Sequence, residues 1–219
     1  MTQNSELKLP AQRALDYIAY AQDPVGGGWR YAARQAGDTS MVGWQIMALQ
    51  SGSMAYLEVD PAVMQKAEQF LDGVQADGGA TYGYIGPGDR PATSSIGLLC
   101  RMYLGWSHKR PALKRGVQQI AARGPSEVDM YYNYYATQLL FQYARGKGTL
   151  WTRWNMRMRD RLIQLQEKNG HETGSWFMAY PHSSVGGRLY CTSLATLILE
   201  VYYRHLPIHQ ESATAAPRP

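Results

Sequence analysis

Apolar and polar positions divide the chain into two kinds of predicted helix that alternate along it. The first kind repeats apolar residues every three to four positions among charged ones, as a helix with one solvent-facing side does. The second kind is apolar on nearly all sides, which indicates that neighbours cover both of its faces. We predict four hairpins of one helix of each kind, at about 10–23 and 40–52, 61–75 and 95–106, 111–124 and 129–145, and 150–168 and 188–205.

Helix-starting residues mark several of these boundaries. Pro10, Pro61 and Pro111 each open an amphipathic segment, where the missing N–H of proline would have no helical partner in any case. Asp38 and Asp129 stand before two of the apolar segments, and an aspartate at that position caps a helix by accepting a backbone N–H. These positions therefore predict where the hairpins begin.

A repeated motif closes the amphipathic helices. Gln22 is followed by Gly28-Trp29, Gln166 by Gly174-Ser175-Trp176, and Gln75 by a degenerate copy that ends in Gly83-Tyr84. The third hairpin has lost the motif. Similarity at a regular period of some tens of residues is typical of repeat architectures. We therefore expect one helical-repeat domain rather than several unrelated ones.

Aligning the four apolar helices brings small residues to one shared position and small polar residues to the position three residues earlier. The small column contains Gly43, Gly97, Ala136 and Ala195, and the polar column contains Ser40, Ser94, Asn133 and Thr192. Small residues allow helices to approach closely, and the polar column lies near the helix starts, where caps are needed. The pattern predicts inner apolar helices surrounded by outer amphipathic helices, with a centre that is either filled or a pocket at the inner N-terminal ends.

Composition adds two expectations. The chain has 16 Tyr and 6 Trp but 3 Phe, and rings with a polar tip suit a wet cavity or an interface. The net charge is +5, but no Lys- or Arg-rich run is present, so we expect no nucleic-acid partner.

Compartment and membrane association follow from other features of the sequence. Cys100 and Cys191 both lie in apolar helical patterns, and we predict no disulfide between them. Neither a secretory leader nor an apolar run long enough to cross a membrane is visible, so we expect a cytoplasmic domain without a membrane span.

The Gln to Gly-x-Trp spacing and the alternation of helices resemble the repeat of the squalene cyclase and protein prenyltransferase β-subunit superfamily, over about residues 10–206. DTSMVGWQIMAL and GGRLYCTSLATLILEVYYRHLP are similar to bacterial domains of this kind that are attached to larger proteins. The resemblance implies an all-α fold, an α/α toroid of about four helical hairpins. We predict an N-terminal extension at 1–9, one repeat domain at 10–207 and a disordered tail at 208–219.

The catalytic residues that the resemblance implies are replaced. Triterpene cyclases of this superfamily use a DxDD motif, which does not occur in the chain. Prenyltransferases hold zinc with an Asp, a Cys two residues later and a His. Asp129 matches the first ligand, but Tyr131 stands in place of the thiolate and Cys191 in place of the histidine. We therefore expect no metal and no cofactor.

Candidate chemistry remains at the starts of the inner helices. Asp38 and Asp129 are either an acid pair for proton transfer or two helix caps. The tyrosines that follow Asp129 either line a pocket or fill the core. The candidate ligand-binding residues are Thr39, Tyr131, Tyr132, Asn133, Arg188, Tyr190 and Cys191.

Three functions are compatible with these observations. The first is a domain without the family's catalytic residues that binds a protein partner or an apolar, isoprenoid-like ligand in its central cavity. The second is an enzyme of terpene cyclase, prenyltransferase or carbohydrate-active type that uses the cavity carboxylates and tyrosines. The third is a purely structural module of a larger assembly.

Overall fold

The computed structural model describes residues 4–179 and 181–203, and the side chains of Pro181, Tyr202 and Tyr203 are not described. The predicted tail at 208–219 lies outside these residues. The described chain is mostly helical and confirms the all-α prediction. Its helices are α1 Lys8–Ala21, α2 Thr39–Met54, α3 Pro61–Val74, α4 Pro91–Tyr103, α5 Pro111–Arg123, α6 Met130–Ala144, α7 Gly148–Leu165 and α8 Pro181–Leu199.

Short elements complete the described chain. Strand β1 (Gln75–Ala76) pairs antiparallel with β2 (Thr81–Tyr82) in the turn between α3 and α4. Four 3₁₀ turns lie at Ser5–Leu7, Asp77–Gly79, Gly170–Glu172 and Glu200–Tyr203. None of the described helices combines the length and the apolar content that crossing a bilayer requires.

Helices α1 and α4 start earlier than the sequence pattern predicts, as α7 and α8 also do. Helix α1 begins at Lys8, so Pro10 lies inside its first turn and the last two residues of the predicted 1–9 extension are helical. Helix α4 begins at Pro91 with Arg90 as its N-cap. The hydroxyl groups of 93–95 therefore lie within the helix and make other contacts.

The apolar helices α2, α4, α6 and α8 pack side by side in chain order. The amphipathic helices lie outside this row: α1 and α3 pack on α2, α5 on α4 and α6, and α7 on α6. Helices α4 and α6 are buried along almost their whole length, whereas α2 and α8 are buried on part of their surface. Within the described residues no extensive contact joins α2 to α8, so these two helices form the edges of the inner row.

Two glycines of the small column permit close packing. A Cβ atom at Gly97 would lie 2.3 Å from the ring of Tyr82, and one at Gly43 would lie 2.6 Å from the Cγ2 atom of Ile96. Both distances are well below van der Waals contact, so a larger residue at Gly43 would push α2 away from α4, and one at Gly97 would displace Tyr82 of β2.

The tryptophans of the repeated motif bind the ends of the outer helices. The indole N–H of Trp29 donates to the carbonyl of Ile18 at 2.7 Å, and that of Trp176 donates to the carbonyl of Leu162 at 2.8 Å. Both carbonyls lie in the last turn of an outer helix, where such groups lack a full set of helical partners. Both rings are buried, so the tryptophans fix each loop against its helix.

The glutamines of the motif bind the following loops. The side-chain amide of Gln22 donates to the carbonyls of Gly27 and Val63, each at 2.9 Å. The amide of Gln166 donates to the carbonyl of Gly174, also at 2.9 Å. The contact to Val63 joins the first hairpin to α3, so the motif links neighbouring repeats as well as closing its own loop.

The second and third hairpins use tyrosine instead. Tyr82 lies seven residues after Gln75, as Trp29 does after Gln22, and its ring is fully buried. Tyr82, rather than Tyr84, thus takes the place of the tryptophan. In the third hairpin the hydroxyl of Tyr132 donates to the carbonyl of Gly124 at 3.1 Å, just past the end of α5.

The polar column fastens loops rather than capping helices. In three of its four members, one side chain hydrogen bonds both the N–H and the C=O of a single residue in the preceding loop. These pairs are Ser94 with Tyr82 (3.0 and 3.4 Å), Asn133 with Ser126 (2.7 and 3.0 Å) and Thr192 with Trp176 (3.1 and 3.4 Å). Ser40, the fourth member, contacts Tyr131 of α6.

Candidate functional site

The two candidate acids act as helix caps. Asp38 Oδ1 accepts the backbone N–H of Met41 at 2.9 Å, and Asp129 Oδ1 accepts that of Tyr132 at 3.0 Å. Asp38 is fully buried and Asp129 is half-buried. The sequence left two roles open for these residues, an acid pair or two helix caps. The structure shows both of them acting as helix caps.

The second oxygen of Asp38 faces polar neighbours. No hydrogen-bond partner in the described part of the chain meets Oδ2, which is buried, although Nε of Arg30 lies 3.7 Å away as an ion-pair partner. Burial raises the pKa of Tyr84, and the nearby Tyr31 and Asp38 raise it further. The carboxylate of Asp38 therefore lies at the start of α2, near Arg30 and the phenols of Tyr31 and Tyr84.

Four rings from α2 and α6 form an aromatic cluster next to this carboxylate. The indole of Trp44 stacks on Tyr134, with ring centroids 5.9 Å apart, and meets Tyr135 edge to face at 5.7 Å. Tyr135 also contacts Tyr131 at 5.0 Å and Tyr134 at 4.9 Å. Edge-to-face and offset contacts at these distances are the favourable arrangements of aromatic pairs. We call Trp44, Tyr131, Tyr134 and Tyr135 the aromatic cluster.

Tyr131 is the member of the aromatic cluster on which the charge of Asp38 acts. Burial raises the pKa of its phenol, whereas hydrogen-bonding contacts with Tyr135, Ser40 and Trp44 lower it and the Asp38 charge raises it. Ser40, which fastens no loop as the rest of its column does, thus faces the Tyr131 hydroxyl. Sequence reasoning did not select Ser40 or Trp44 as site residues. The predicted inner helices contain two tryptophans, Trp44 and Trp106. Because α4 ends at Tyr103, Trp44 is the one of the two that lies within an inner helix.

Tyr190 extends the site to α8. Burial raises the pKa of its phenol, and Asp129, Tyr131 and Cys191 raise it further. The side chain is half-buried, whereas that of Cys191 is fully buried behind it. The starts of α2 and α6 and the middle of α8 therefore place Asp38, Asp129, Tyr131 and Tyr190 in one neighbourhood.

Three other predicted ligand-binding residues have structural partners. The Thr39 hydroxyl donates to the carbonyl of Gly83 at 2.7 Å, which ties α2 to the loop before α4. Tyr132 and Asn133 bind the loop between α5 and α6 through the contacts described above, and both are fully buried. Their polar groups are thus occupied by the protein itself.

Arg188 is engaged in the loop before α8. Its guanidinium lies 2.6 Å from a carboxylate oxygen of Glu172 and 3.2 Å from the hydroxyl of Ser175, and it packs over the ring of Phe177. The side chain is about one-third exposed. In the structure it holds the loop closed, so a ligand would have to compete with Glu172 for it.

The phenols of Tyr84, Tyr131 and Tyr190 all have raised pKa values, so at neutral pH they keep their protons and can donate hydrogen bonds, and they do not act as bases. Within residues 4–179 and 181–203, no group of three or more His, Cys, Asp or Glu side chains is placed to hold a metal ion.

Two surface cavities lie away from this site. One, of about 370 Å³, is lined by α1, α2, α3 and the loop at 58–60, and the other, of about 330 Å³, is lined by α5 and α7. Neither contains a residue of the aromatic cluster.

No protein-family model matches this chain, and no curated protein matches its sequence. The relationship to the squalene cyclase and prenyltransferase superfamily therefore stays a prediction. It rests on the repeated motif and on the alternation of inner and outer helices.

Proposed function

We propose that the chain is a helical-repeat domain that binds an apolar, isoprenoid-like ligand at the aromatic cluster. The observation that carries the proposal is Trp44. Its indole is 37% exposed on an inner helix, against the fully buried rings of Tyr134 and Tyr135. A large ring that is stacked on one side and open on the other offers an apolar ligand a ready contact surface.

We propose further that the inner row curves into the α/α toroid that the resemblance implies. Helix α4 packs against both α2 and α6, yet Trp44 of α2 reaches Tyr134 of α6 at 5.9 Å. Such a contact past an intervening helix supports a row that bends towards its own centre. The aromatic cluster then lies on the concave side, where a toroid has its cavity.

The engaged polar groups support a binding role in preference to catalysis. Each carboxylate caps a helix, and the neighbouring phenols keep their protons at neutral pH. A ligand would be held by ring faces and by hydroxyl donors, which suits an apolar chain with a small polar group.

A fluorescence titration tests this function. Farnesol, an isoprenoid alcohol, is expected to change the tryptophan emission of the wild-type protein in a saturable way. Trp44→Leu removes the exposed ring and is expected to weaken binding by about tenfold or more, measured by competition with a fluorescent isoprenoid analogue. Tyr17→Leu is the matched control, because Tyr17 is an exposed aromatic residue of α1 outside the cluster.

Equal weakening in Trp44→Leu and Tyr17→Leu would show that the ligand adsorbs to exposed rings in general. Absence of saturable binding to the wild-type protein would remove the proposal.

A second candidate function, an isoprenoid-converting enzyme, is favoured by the buried Asp38 Oδ2 atom that lacks a hydrogen-bond partner in the described chain. Asp38→Asn keeps a good helix cap and removes the acid. If the enzyme hypothesis holds, turnover of an isoprenoid substrate is seen with the wild-type protein and lost in this variant. The binding function predicts no product from either protein.

A further inference from the structure

The outer helices α5 and α7 concentrate the positive charge of the chain. Together they contain seven basic residues and one acidic residue, a net charge of +6, whereas the whole chain carries +5. The outer helices α1 and α3 contain three residues of each sign and are neutral together. The basic residues of α5 and α7 are Lys114, Arg115, Arg123, Arg153, Arg157, Arg159 and Arg161. Although the sequence has no basic run, the fold therefore gathers a basic surface on its outer layer.

The cleft of about 330 Å³ between α5 and α7 opens on this basic surface. The least exposed of its lining residues, Ala121, Leu150 and Trp154, are apolar and form its floor. Arg153 and Arg157 of α7 also line it, and both are exposed. Its lining, as far as the structure describes it, includes no Asp or Glu. The cleft thus combines an apolar floor with two positive charges.

These two arginines lack an acidic partner within residues 4–179 and 181–203, unlike three of their neighbours. The neighbouring ion pairs are Arg115 with Asp77, Arg159 with Asp160 and Arg161 with Glu127. Arg153 and Arg157 are four residues apart on one helix, a spacing at which like charges repel. An anionic group bound between them would relieve this repulsion.

An acidic protein segment fits the cleft better than the other common polyanions. A carboxylate can accept charge-assisted hydrogen bonds from both guanidinium groups. Arg and Met are enriched in protein interfaces, and Met156, half-exposed on α7, extends the surface next to Arg157. A single-stranded nucleic acid would stack its bases on open aromatic rings, but the ring of Trp154 is buried. A flat membrane surface would leave a concave cleft unfilled.

We propose that the cleft between α5 and α7 is a docking site for an acidic segment of a partner protein. A carboxylate side chain of the segment lies between Arg153 and Arg157, and a neighbouring apolar side chain packs on Ala121 and Leu150. The site lies on the outer layer, apart from the aromatic cluster, and does not depend on the function proposed above.

Fluorescence anisotropy with a labelled peptide tests this site. The probe is a short peptide of repeated Glu-Glu-Leu units. One comparison peptide has Gln for every Glu and lacks the charge, and another has Ser for every Leu and lacks the apolar side chains. The wild-type protein is expected to bind the probe about tenfold or more tighter than either comparison peptide. The affinity is expected to fall as the salt concentration rises.

The double variant Arg153→Gln with Arg157→Gln is expected to weaken binding of the probe by about tenfold or more. The matched control, Arg13→Gln with Lys66→Gln, removes two exposed positive charges from α1 and α3 and is expected to keep the wild-type affinity. Because the replaced arginines are exposed and repel each other, the melting temperature of the first variant is expected to stay level or rise. That measurement shows that the variant is folded.

Four results would overturn the proposal. The first is that the wild-type protein does not bind the probe, and the second is that both double variants weaken binding equally, which would show attraction to net charge alone. The third is tighter binding of oligothymidylate, or of vesicles of phosphatidylserine and phosphatidylcholine, than of the probe. The fourth is self-association of the wild-type protein in sedimentation that the two arginine substitutions abolish, since a second copy would then occupy the cleft.

Discussion

The side chain of Trp176 shows how one residue joins a loop to two helices. Its ring is buried and its indole N–H binds Leu162 of α7, while its backbone N–H and C=O both meet the hydroxyl of Thr192 on α8. The sequence placed this ring in the loop that follows an amphipathic helix, and the contacts fix that loop against the end of the helix. The hydrogen bonds between the Thr192 hydroxyl and the backbone of Trp176 were not predicted, because a polar residue near a helix start is equally suited to cap that helix.

Trp176→Ala is expected to lower the free energy of unfolding by about 3–5 kcal/mol, since it removes a buried ring and leaves a cavity. Trp176→Phe keeps most of the packing and loses the hydrogen bond to Leu162, so a smaller loss of about 1 kcal/mol is expected. Urea denaturation of the three proteins measures both effects. Equal stability of the alanine variant and the wild-type protein would contradict the role assigned to this ring.

At the scale of the elements, α8 contains a break that the sequence located. The pattern predicted an inner helix from Arg188, and the structure has a non-helical residue, Gly187, immediately before it, with φ 66° and ψ −163°. Only glycine adopts this backbone region without strain. The segment 181–186 is therefore a separate turn of helix that leads into the inner helix.

Gly187→Ala is expected to lower the free energy of unfolding by about 1–3 kcal/mol through backbone strain. No atom lies within 4 Å of the added Cβ, so the effect isolates the backbone conformation from steric contact. Gly73→Ala is the matched control: Gly73 lies in α3, its added Cβ also meets nothing within 4 Å, and a gain of about 0.5–1 kcal/mol is expected. Thermal melts distinguish the two. A stabilising Gly187→Ala variant would show that the break is absent in solution.

The burial and the partners of Arg101 could not be predicted from the helix pattern. It lies in the apolar helix α4, yet its side chain is almost fully buried, where it pairs with Asp72 of α3 and donates to the Tyr82 hydroxyl at 3.2 Å. Its guanidinium also packs 4.8 Å from the ring of Trp106. A sequence shows that a charge sits among apolar residues, but its partners come from other elements and are fixed only by tertiary packing.

At the scale of the whole molecule, the many buried phenols predict how stability depends on pH. Burial raises the pKa of six tyrosines, and it raises the pKa of the Cys100 thiol to about 12. These tyrosines are Tyr82, Tyr84, Tyr131, Tyr132, Tyr135 and Tyr190. The folded state therefore keeps protons that the unfolded state has already released in alkaline solution.

The sign of the effect follows from linkage. An acid whose folded-state pKa is raised contributes stability that is complete below its unfolded pKa and is lost as the pH rises above that value. The ordinary values are 9.0 for cysteine and 10.0 for tyrosine. The urea midpoint is therefore expected to stay level up to about pH 9 and to fall steeply above about pH 10. A midpoint that is independent of pH across that range would contradict the burial of these groups.

The sequence predicted the helices better than it predicted the roles of their polar residues. Periodicity and caps located all eight helices of the described chain, and the aspartates before α2 and α6 marked the starts of those two helices. Thr39, Tyr132 and Asn133 could not be separated from Tyr131 and Tyr190 by sequence, because a polar residue at a helix start looks the same whether it faces a loop or a cavity. The sequence did not single out Trp44 either, since the exposure of its ring is a property of the packed structure.

Photo-crosslinking tests the central claim, that the aromatic cluster is the binding site, most directly. A farnesol analogue that carries a diazirine in its chain is irradiated with the wild-type protein, and the labelled peptides are identified by mass spectrometry. We predict labelling of peptides from α2 and α6 that contain Trp44 and Tyr131, and loss of the label when unmodified farnesol competes. Labelling confined to outer helices, or labelling that competitor does not reduce, would contradict the account.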